Sequence, residues 1–201
     1  MTDAELKKFE AFKQNLLDWN QRINLTAITD DEGIRQKHFA DSLTLLPLLP
    51  PIDPIRLIDI GAGAGFPGIP LKIMRPDIRL TLLEARQKKV GFLEDTAAKL
   101  GFENVECVHG RAEDFVKEEG RRGGYDIACA RAVAPLDRLV RWCMPFVKRG
   151  GLFLAMKGPK PDAEVREAES VMRKMGAGVR EIKYVEIAPG MVHSVVVVCY
   201  T

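Results

Sequence analysis

The sequence lacks several features that would assign a protein to a specialised class. Its 201 residues contain no apolar run close to the roughly 20 residues that a membrane-spanning helix needs. The N-terminus is acidic and no apolar segment follows it, which argues against a secretory signal. Hydrophobic residues are 46% and charged residues 29%, a composition typical of soluble globular proteins. We therefore expect a cytoplasmic, monomeric protein that binds no membrane.

Cysteine is scarce, and its spacing does not fit a metal or disulfide framework. The chain has four cysteines and no Cys-x-x-Cys pair. Cys129 and Cys199 lie within apolar runs that resemble strands. We expect free, mostly buried thiols in a reducing compartment and no bound metal.

The chain as a whole has little net charge, but one segment has a large positive surplus. The formal net charge is only +2. Residues 121–160 hold nine Lys or Arg side chains and two Asp side chains, a local surplus of +7. Such a surplus suits a surface that faces phosphates. Charges dispersed over a solvated face are the alternative, and the sequence leaves both open.

Two patterns divide the chain near residue 50. In residues 1–50, apolar side chains recur every three to four positions, which predicts two helices, the second over residues 31–49. From residue 51 onward, short apolar runs alternate with amphipathic runs, which predicts a parallel sheet with helices on both faces. The predicted strands cover residues 56–60, 80–84, 105–108, 125–130, 152–156, 179–187 and 193–200. The predicted helices among them cover residues 88–100, 135–148 and 162–175.

The last two predicted strands are joined by a short turn, so they must be antiparallel. We therefore expect an α/β fold, Rossmann-like, with a seven-stranded, mostly parallel sheet that ends in an antiparallel hairpin. Residues 1–50 would form an N-terminal helical extension, and residues 51–201 would form the main domain.

A glycine-rich run, residues 59–70, follows the first predicted strand and leads into a helix. Glycines such as Gly61 and Gly63 let the backbone bend sharply there and let a ligand approach it closely. Glu84 ends the second predicted strand, nineteen residues beyond Gly65, where a carboxylate can accept hydrogen bonds from both hydroxyls of a ribose. The combination predicts a cofactor that contains a nucleoside.

Two cofactor classes fit this loop. Residues 63–68 match the Gly-x-Gly-x-x-Gly pattern of NAD-binding proteins. However, the chain is short for a dinucleotide fold plus a catalytic domain, and Asp59 would repel a pyrophosphate while suiting the ammonium of an amino acid. The terminal hairpin is typical of S-adenosylmethionine-dependent methyltransferases. S-adenosylmethionine is therefore the expected cofactor, and a regulatory module that binds NAD is the alternative.

Residues 111–114 follow the third predicted strand, where an adenine ring would lie. The backbone N–H of Ala112, or the carboxylate of Glu113 or Asp114, could read the amino edge of adenine. Acidic residues there also stabilise the start of a helix, and both roles can hold together.

The segment at the end of the fourth predicted strand, residues 126–136, indicates which kind of atom accepts the methyl group. It contains neither an Asn/Asp-Pro-Pro-aromatic loop, which grips exocyclic amines, nor a Pro-Cys pair that activates a pyrimidine. Cys129 is expected in the core. An acceptor that needs little activation fits, such as the ring nitrogen N7 of guanine, which has a free lone pair and no proton to lose. Transfer would then depend on proximity and orientation and need no general base.

These residues together resemble one family over nearly the whole chain, the small-subunit ribosomal RNA methyltransferase G family, also called glucose-inhibited division protein B. The resemblance implies methylation of N7 of a guanine in 16S rRNA, with the rRNA or the small ribosomal subunit as partner. A methyltransferase acting on a protein or a small molecule is the alternative on the same fold. The motifs that carry the resemblance are Trp19-Asn20, Asn24-Leu-Thr-Ala, His38-x-x-Asp41-Ser42, the loop ending Phe66-Pro-Gly-Ile-Pro, Leu82-Leu-Glu84-Ala, Arg111-Ala-Glu113, Arg131-Ala-Val-Ala and Met156-Lys157-Gly158.

The resemblance also implies residue roles at the cofactor. Gly61 and Phe66 should line it, Ala112 and Glu113 should lie at its adenosine end, and Arg131 should lie at the junction of cofactor and acceptor.

On the acceptor side, Arg131, Lys157 and His38 are expected to position the base. Lys157 could contact an RNA phosphate or orient the guanine, and otherwise would be a solvated lysine at a strand end. His38 and Asp41, three residues apart on a predicted helix, either close over the site or pair with each other. Glu84 stands where many relatives carry Asp, which changes its reach toward a ribose.

Overall fold

A seven-stranded sheet forms the centre of the molecule, in a computed structural model that describes residues 1–131 and 133–201. The strands in chain order are β1 (Arg56–Ile60), β2 (Arg79–Glu84), β3 (Val105–His109), β4 (Tyr125–Arg131), β5 (Val147–Lys157), β6 (Ala177–Ala188) and β7 (Met191–Tyr200). Their order across the sheet is β3-β2-β1-β4-β5-β7-β6, with only β7 antiparallel to its neighbours. The predicted fold class is confirmed.

Helices cover both faces of this sheet. They are α1 (Asp3–Asn20), α2 (Asp31–Gly33), α3 (Asp41–Leu43), α4 (Gly68–Met74), α5 (Gln87–Lys99), α6 (Ala112–Phe115), α7 (Leu136–Cys143) and α8 (Asp162–Lys174). None of the helices within the described ranges is long and apolar enough to cross a membrane.

Side chains alternate between the two faces along each strand, so each face has its own core. Leu57 of β1 packs into the core formed with α1, α4 and α5, whereas Ile58 packs into the core formed with α6, α7 and α8. Burial on both faces explains why β1, β2 and β4 are apolar runs without polar alternation.

The N-terminal helices share the first of these cores. Phe12 and Leu16 of α1 are fully buried, and the Phe12 ring lies 5.2 Å from the ring of Phe66 in the glycine-rich loop. At its start, α1 has a capping box in which Thr2 and Glu5 exchange side chain and backbone hydrogen bonds. The N-terminal segment therefore reaches the loop directly.

Two predicted helices are shorter than expected. Residues 31–49 do not form one helix, because α2 and α3 flank a π-helix (Ile34–Ala40) and a 3₁₀ turn follows (Leu46–Leu48). The helix predicted over 135–148 ends at Cys143, and β5 already begins at Val147. In both places a proline, Pro47 or Pro145, lies in the 3₁₀ turn, where it provides no amide to continue a helix.

The cysteines agree with the sequence-based expectation. All four are free; Cys129 and Cys143 are buried, and Cys107 and Cys199 are partly buried. Burial raises the pKa of the Cys129 thiol well above its usual value, so the prediction of a core cysteine there is confirmed.

Candidate methyl-transfer site

The loop after β1 is fixed to the end of the neighbouring strand. The backbone N–H groups of Gly61 and Ala62 both donate to the Leu83 carbonyl, at 2.8 and 3.1 Å. Gly61 and Gly63 have φ values of +74° and +58°, in the left-handed region that favours glycine. A Cβ on Gly61 would lie 2.7 Å from the Val133 side chain. Glycine is therefore required there both for the turn and for the space.

Glu84 completes the loop from the end of β2. Its Oε2 accepts a hydrogen bond from Gly63 N at 2.9 Å, and its Oε1 accepts one from Arg86 N at 2.9 Å. Each carboxylate oxygen has a second lone pair for another donor. Glu84 can thus hold the loop and still accept two hydrogen bonds from a ligand.

Asp59 lies beneath the loop and does not reach the ligand side. It is fully buried, and its Oδ2 accepts a hydrogen bond from Gly68 N, at the start of α4, at 2.8 Å. Its Oδ1 has no hydrogen-bond partner among the described residues, and burial raises the pKa of the carboxyl to about 7. The structure therefore does not bring Asp59 to the place where the sequence suggested contact with an ammonium group.

A cavity of about 490 Å³ opens above this loop, and we call it the glycine-loop cavity. Seven of the residues predicted to contact the cofactor line it. These residues are Gly61, Gly63, Phe66, Glu84, Ala112, Glu113 and Arg131. Asp114 instead pairs with Lys117 at 2.8 Å on the surface.

Other residues of the glycine-loop cavity were missed by the sequence analysis. Leu25 and Thr26 come from the turn after α1, Lys89 comes from α5, and Trp142 comes from α7. The Asn24-Leu-Thr-Ala stretch was noted as a motif, and its position in the cavity gives that motif a role that spacing alone did not indicate.

His38 forms part of the cavity wall as a neutral imidazole. Its ring stacks on Phe66 at 4.5 Å between centroids, with an interplanar angle of 19°. Nδ1 lies 3.1 Å from Arg131 Nη2, and Nε2 lies 2.8 Å from Thr26 Oγ1. Nδ1 also lies 3.2 Å from the Lys37 carbonyl, which accepts from Arg131 Nη1 at the shorter distance of 3.0 Å. Because a guanidinium can only donate, we assign Nδ1 as the acceptor from Arg131 and place the proton on Nε2. Burial, assisted by the charge of Arg131, lowers the pKa of His38 to about 4.

Arg131 connects this wall to a buried carboxylate. Its Nη1 donates to Asp41 Oδ2 at 2.9 Å and to the Lys37 carbonyl at 3.0 Å, and its guanidinium lies 4.8 Å from the Phe66 ring centroid. His193 Nδ1 donates to the other oxygen, Asp41 Oδ1, at 2.9 Å. The side chain of Asp41 is only 2% exposed. His38 and Asp41 thus share Arg131 as their partner. Ala132 of the Arg131-Ala-Val-Ala segment lies outside the described residues.

Lys157 is held at the end of β5. Its Nζ donates to Glu164 Oε2 at 2.6 Å and to the Ala134 carbonyl at 2.8 Å. With a side chain only 9% exposed, it is not the solvated lysine that the sequence left as one alternative. Its charge is balanced by Glu164 of α8, and it fixes the segment that follows Arg131.

A second cavity of about 810 Å³ lies beside the first, and we call it the Asp41 cavity. It is lined by Asp41, Lys157, Glu164 and His193, among others. Both cavities are lined by His38, Arg131 and Val133, so they meet at these three residues. Sequence analysis did not single out His193 or Glu164, because no local motif surrounds either.

The basic segment is less exposed than its composition suggested. Four of its nine cations form ion pairs with carboxylates: Arg121 with Glu106, Arg131 with Asp41, Lys148 with Asp126 and Lys157 with Glu164. Arg138 and Arg141, one turn apart on α7, are exposed. Arg122, Arg149 and Lys160 are exposed as well, so these five cations are the part of the surplus that can face a partner.

This sheet, with its antiparallel inner strand β7 and a cavity at the glycine loop, defines a methyltransferase of the Rossmann-like class. A precorrin-6y C5,15-methyltransferase from Geobacter metallireducens GS-15 has the same fold, with a TM-score of 0.62 and 18% identity over 89% of this chain and 92% of that chain. A SAM-dependent methyltransferase from Aquifex aeolicus has a TM-score of 0.59 and 17% identity, over 84% of this chain and 93% of that one.

Sequence comparison identifies the family. The family model for rRNA small subunit methyltransferase G matches residues 5–190. The ribosomal RNA small subunit methyltransferase G of Clostridium botulinum (strain Loch Maree / Type A3) is 43% identical over 185 residues, 92% of this chain and 77% of the relative. That of Clostridium novyi (strain NT) is 43% identical over 197 residues, 98% of this chain and 81% of the relative.

The chain belongs to the rRNA small subunit methyltransferase G family. The resemblance stated from the motifs is therefore confirmed, together with the enzyme class and S-adenosylmethionine as the cofactor.

Proposed function

We propose that this chain methylates N7 of a guanine in 16S rRNA by direct in-line displacement from S-adenosylmethionine. The observation that carries the proposal is the junction of the two cavities at His38, Arg131 and Val133. A methyl donor held at the glycine loop and a base held in the Asp41 cavity would meet at this junction, where orientation supplies most of the rate.

The residues of the glycine-loop cavity fit the cofactor. Glu84 retains two acceptor positions for the ribose hydroxyls, and the glycine turn exposes backbone without side chains. Ala112 and Glu113 line the end suited to adenine. When bound, S-adenosylmethionine supplies a methyl group activated by a sulfonium.

The Asp41 cavity suits an acceptor that has no proton to remove. Its two carboxylates are both held by cations, Asp41 by Arg131 and Glu164 by Lys157. With S-adenosylmethionine bound, the N7 lone pair would form the new bond as the methyl–sulfur bond breaks, so the positive charge would pass from sulfur to the base and no proton would have to move. A general base is not required for this step.

The residues at the junction act by positioning. Arg131 joins β4 to the π-helix through Lys37 and to α3 through Asp41, and His38 of the π-helix stacks on Phe66. Lys157 fixes the segment after Arg131 through the Ala134 carbonyl. We assign these three residues to orientation of the base relative to the cofactor.

The proposal is tested with methyl-labelled cofactor and three substrates: small ribosomal subunits that lack the modification, naked 16S rRNA, and total protein. Label in the rRNA, mapped to N7 of a guanine by chemical cleavage at the modified base, is expected. Label only in protein or in metabolites would refute the rRNA assignment. Comparison of the subunits with naked rRNA also identifies the form of the substrate.

We also propose that the chain acts as a monomer in the cytoplasm, the compartment in which its rRNA substrate is available. Light scattering during size-exclusion chromatography is expected to give one chain per particle, and a stable dimer would refute this part.

A further inference from the structure

Guanine and adenine both present an N7 lone pair, so the reacting atom alone cannot distinguish the two purines. The two bases differ beside N7, where guanine has a carbonyl oxygen on C6 and adenine has an amino group. They also differ on the far edge: guanine carries a hydrogen on N1 and an amino group on C2, whereas adenine has a bare N1 and no amino group on C2. If N7 faces the junction of the two cavities, these donors face the rest of the Asp41 cavity. An acceptor in that part of the wall would select guanine.

We propose that His193 is this acceptor: its Nε2, oriented by Asp41, accepts a hydrogen bond from the N1–H or amino group of the guanine. The inference rests on the proposed function, because it names the residue that makes the same site specific for guanine.

The orientation of His193 follows from its partner. Asp41 is ion-paired with Arg131 at 2.9 Å, so it is a carboxylate that can only accept. His193 Nδ1, 2.9 Å from Asp41 Oδ1, must therefore carry a proton. In the neutral ring this leaves a lone pair on Nε2, the nitrogen not bound to Asp41. The side chain is 37% exposed, so the ring is accessible from the cavity.

The position of His193 in the sheet directs it to the correct part of the site. It precedes Ser194, which is paired in register with Lys157 at the end of β5, and Ser194 Oγ donates to the Gly158 carbonyl at 2.7 Å. These contacts fix the start of β7 beside the carboxyl end of the sheet. His193 lines the Asp41 cavity, whereas the described lining of the glycine-loop cavity does not include it.

Most other acceptors in the wall already have donors. Each oxygen of Asp41 already accepts one hydrogen bond, and the side chain is only 2% exposed, which leaves little surface for a base to reach. The Ala134 carbonyl accepts from Lys157, and the Gly158 carbonyl accepts from Ser194. Glu164 Oε2 accepts from Lys157 and from Leu136 N. Its second oxygen, Oε1, is the competing candidate, and the experiment must separate it from His193.

Two substitutions separate the two ring nitrogens of His193. The side chain amide of asparagine reaches the position of Nδ1, so His193→Asn keeps a donor to Asp41 and removes the acceptor in the cavity. The amide of glutamine reaches the position of Nε2, so His193→Gln keeps an acceptor in the cavity and removes the bond to Asp41. The substrates are small subunits with guanine at the mapped site and subunits with adenine substituted there.

With guanine subunits, we expect His193→Asn to lower kcat/KM by about tenfold or more, the loss that follows when a bound polar group is left without its partner. The preference for guanine over adenine should fall by a similar factor. His193→Gln should keep the preference to within about threefold. Glu164→Gln should not alter it. Unfolding by urea and cofactor affinity, measured in parallel, should change little in His193→Asn.

If His193 serves only to hold Asp41 in place, the order is reversed: His193→Asn is active and His193→Gln is inactive. That result would overturn the inference, as would a loss of preference in Glu164→Gln alone. Failure of the wild-type chain to methylate guanine N7 would refute the proposed function instead, so the two failures are distinguishable.

Discussion

The two cavities that meet at Arg131 are built in different ways. The glycine-loop cavity is formed mainly by segments at the ends of β1, β2 and β3, and several of its lining residues are glycine or alanine. The Asp41 cavity is formed by residues from the π-helix, α3, β4, β5, α8 and β7. Its members are far apart in the sequence: Asp41 and His193, which share a hydrogen bond, are 152 positions apart. One half of the site is thus local in sequence and the other half is assembled by the tertiary fold.

This difference predicts which kinds of substitution should impair each half of the site. The local half depends on backbone conformations that only certain residues adopt. The assembled half depends on a buried charge network in which each member compensates another. Substitutions should therefore affect cofactor binding and methyl transfer separately, except at the residues that line both cavities.

Among the three residues common to both cavities, Arg131 should give the largest effect. Arg131→Met leaves Asp41 buried without its cation, which should cost about 3 kcal/mol of unfolding free energy, and misplacement of the base should slow methyl transfer at least about 100-fold. The matched control is Arg131→Met with Asp41→Asn, which removes both charges. Urea denaturation should show recovered stability in the double variant, while transfer of labelled methyl stays low. Recovery of transfer as well would reduce Arg131 to a structural role.

A pH titration of stability should give the next largest effect, through His38. Its pKa is about 4 in the folded chain against 6.5 in the unfolded one, so the unfolded chain binds the extra proton between these values. The stabilisation is complete above pH 6.5 and is lost as the pH falls toward 4, by roughly 3 kcal/mol. His38→Gln should remove this loss, because glutamine does not titrate.

The measurement is the difference in unfolding free energy between wild type and His38→Gln from pH 4 to 8. Taking the difference cancels the opposite contribution of Asp59, whose pKa is raised to about 7 and whose stabilisation disappears as the pH rises. A difference independent of pH would mean that His38 is not held neutral.

The glycine loop offers a test confined to the cofactor half. Gly63 and Gly101 have nearly equal φ values, +58° and +61°, but only Gly63 lines the cavity, and a Cβ on Gly101 would meet nothing within 4 Å. Alanine at either position should cost about 1–2 kcal/mol of stability from the left-handed backbone. Calorimetry should show S-adenosylmethionine binding weakened about tenfold or more in Gly63→Ala and unchanged in Gly101→Ala. Equal affinities in the two variants would contradict the placement of the cofactor.

The smallest effect concerns the basic segment. In a plot of log binding constant against log salt concentration, the negative slope should become shallower in the double variant Arg138→Ala with Arg141→Ala. The change should be about one unit of slope for each RNA phosphate that the variant no longer neutralises. Lys157→Met with Glu164→Gln should leave the slope unchanged, because Lys157 is already paired. RNA binding measured over a range of KCl concentrations distinguishes the two. A slope that becomes shallower only in the Lys157 variant would show that Lys157 binds an RNA phosphate.

The sequence predicted the local half well for physical reasons. An apolar run such as residues 57–60 allows few alternatives to a buried strand, and β1 was predicted with the observed bounds, Arg56–Ile60. The glycine turn and Glu84 follow from strand ends that lie next to each other in a parallel sheet.

The assembled half could not be predicted in the same way. His193 acquires its position only because β7 inserts between β5 and β6, and nothing in the residues around it indicates that arrangement. The π-helix also escaped the sequence pattern, since its apolar spacing resembles that of an ordinary helix. Its Lys37 carbonyl and Asp41 side chain receive Arg131 from β4, a contact between residues 90 or more positions apart.

The place of β7 in the sheet has a consequence for synthesis on the ribosome. Strands β1 to β5 and the glycine turn emerge first, and the strand that carries His193 is the last of the seven to leave the exit tunnel. A nascent chain stopped before residue 191 has every element of the glycine turn but exposes the unpaired edge of β5 to aggregation. Translation thus delivers the cofactor-binding elements before β7, the last of the elements that hold the base.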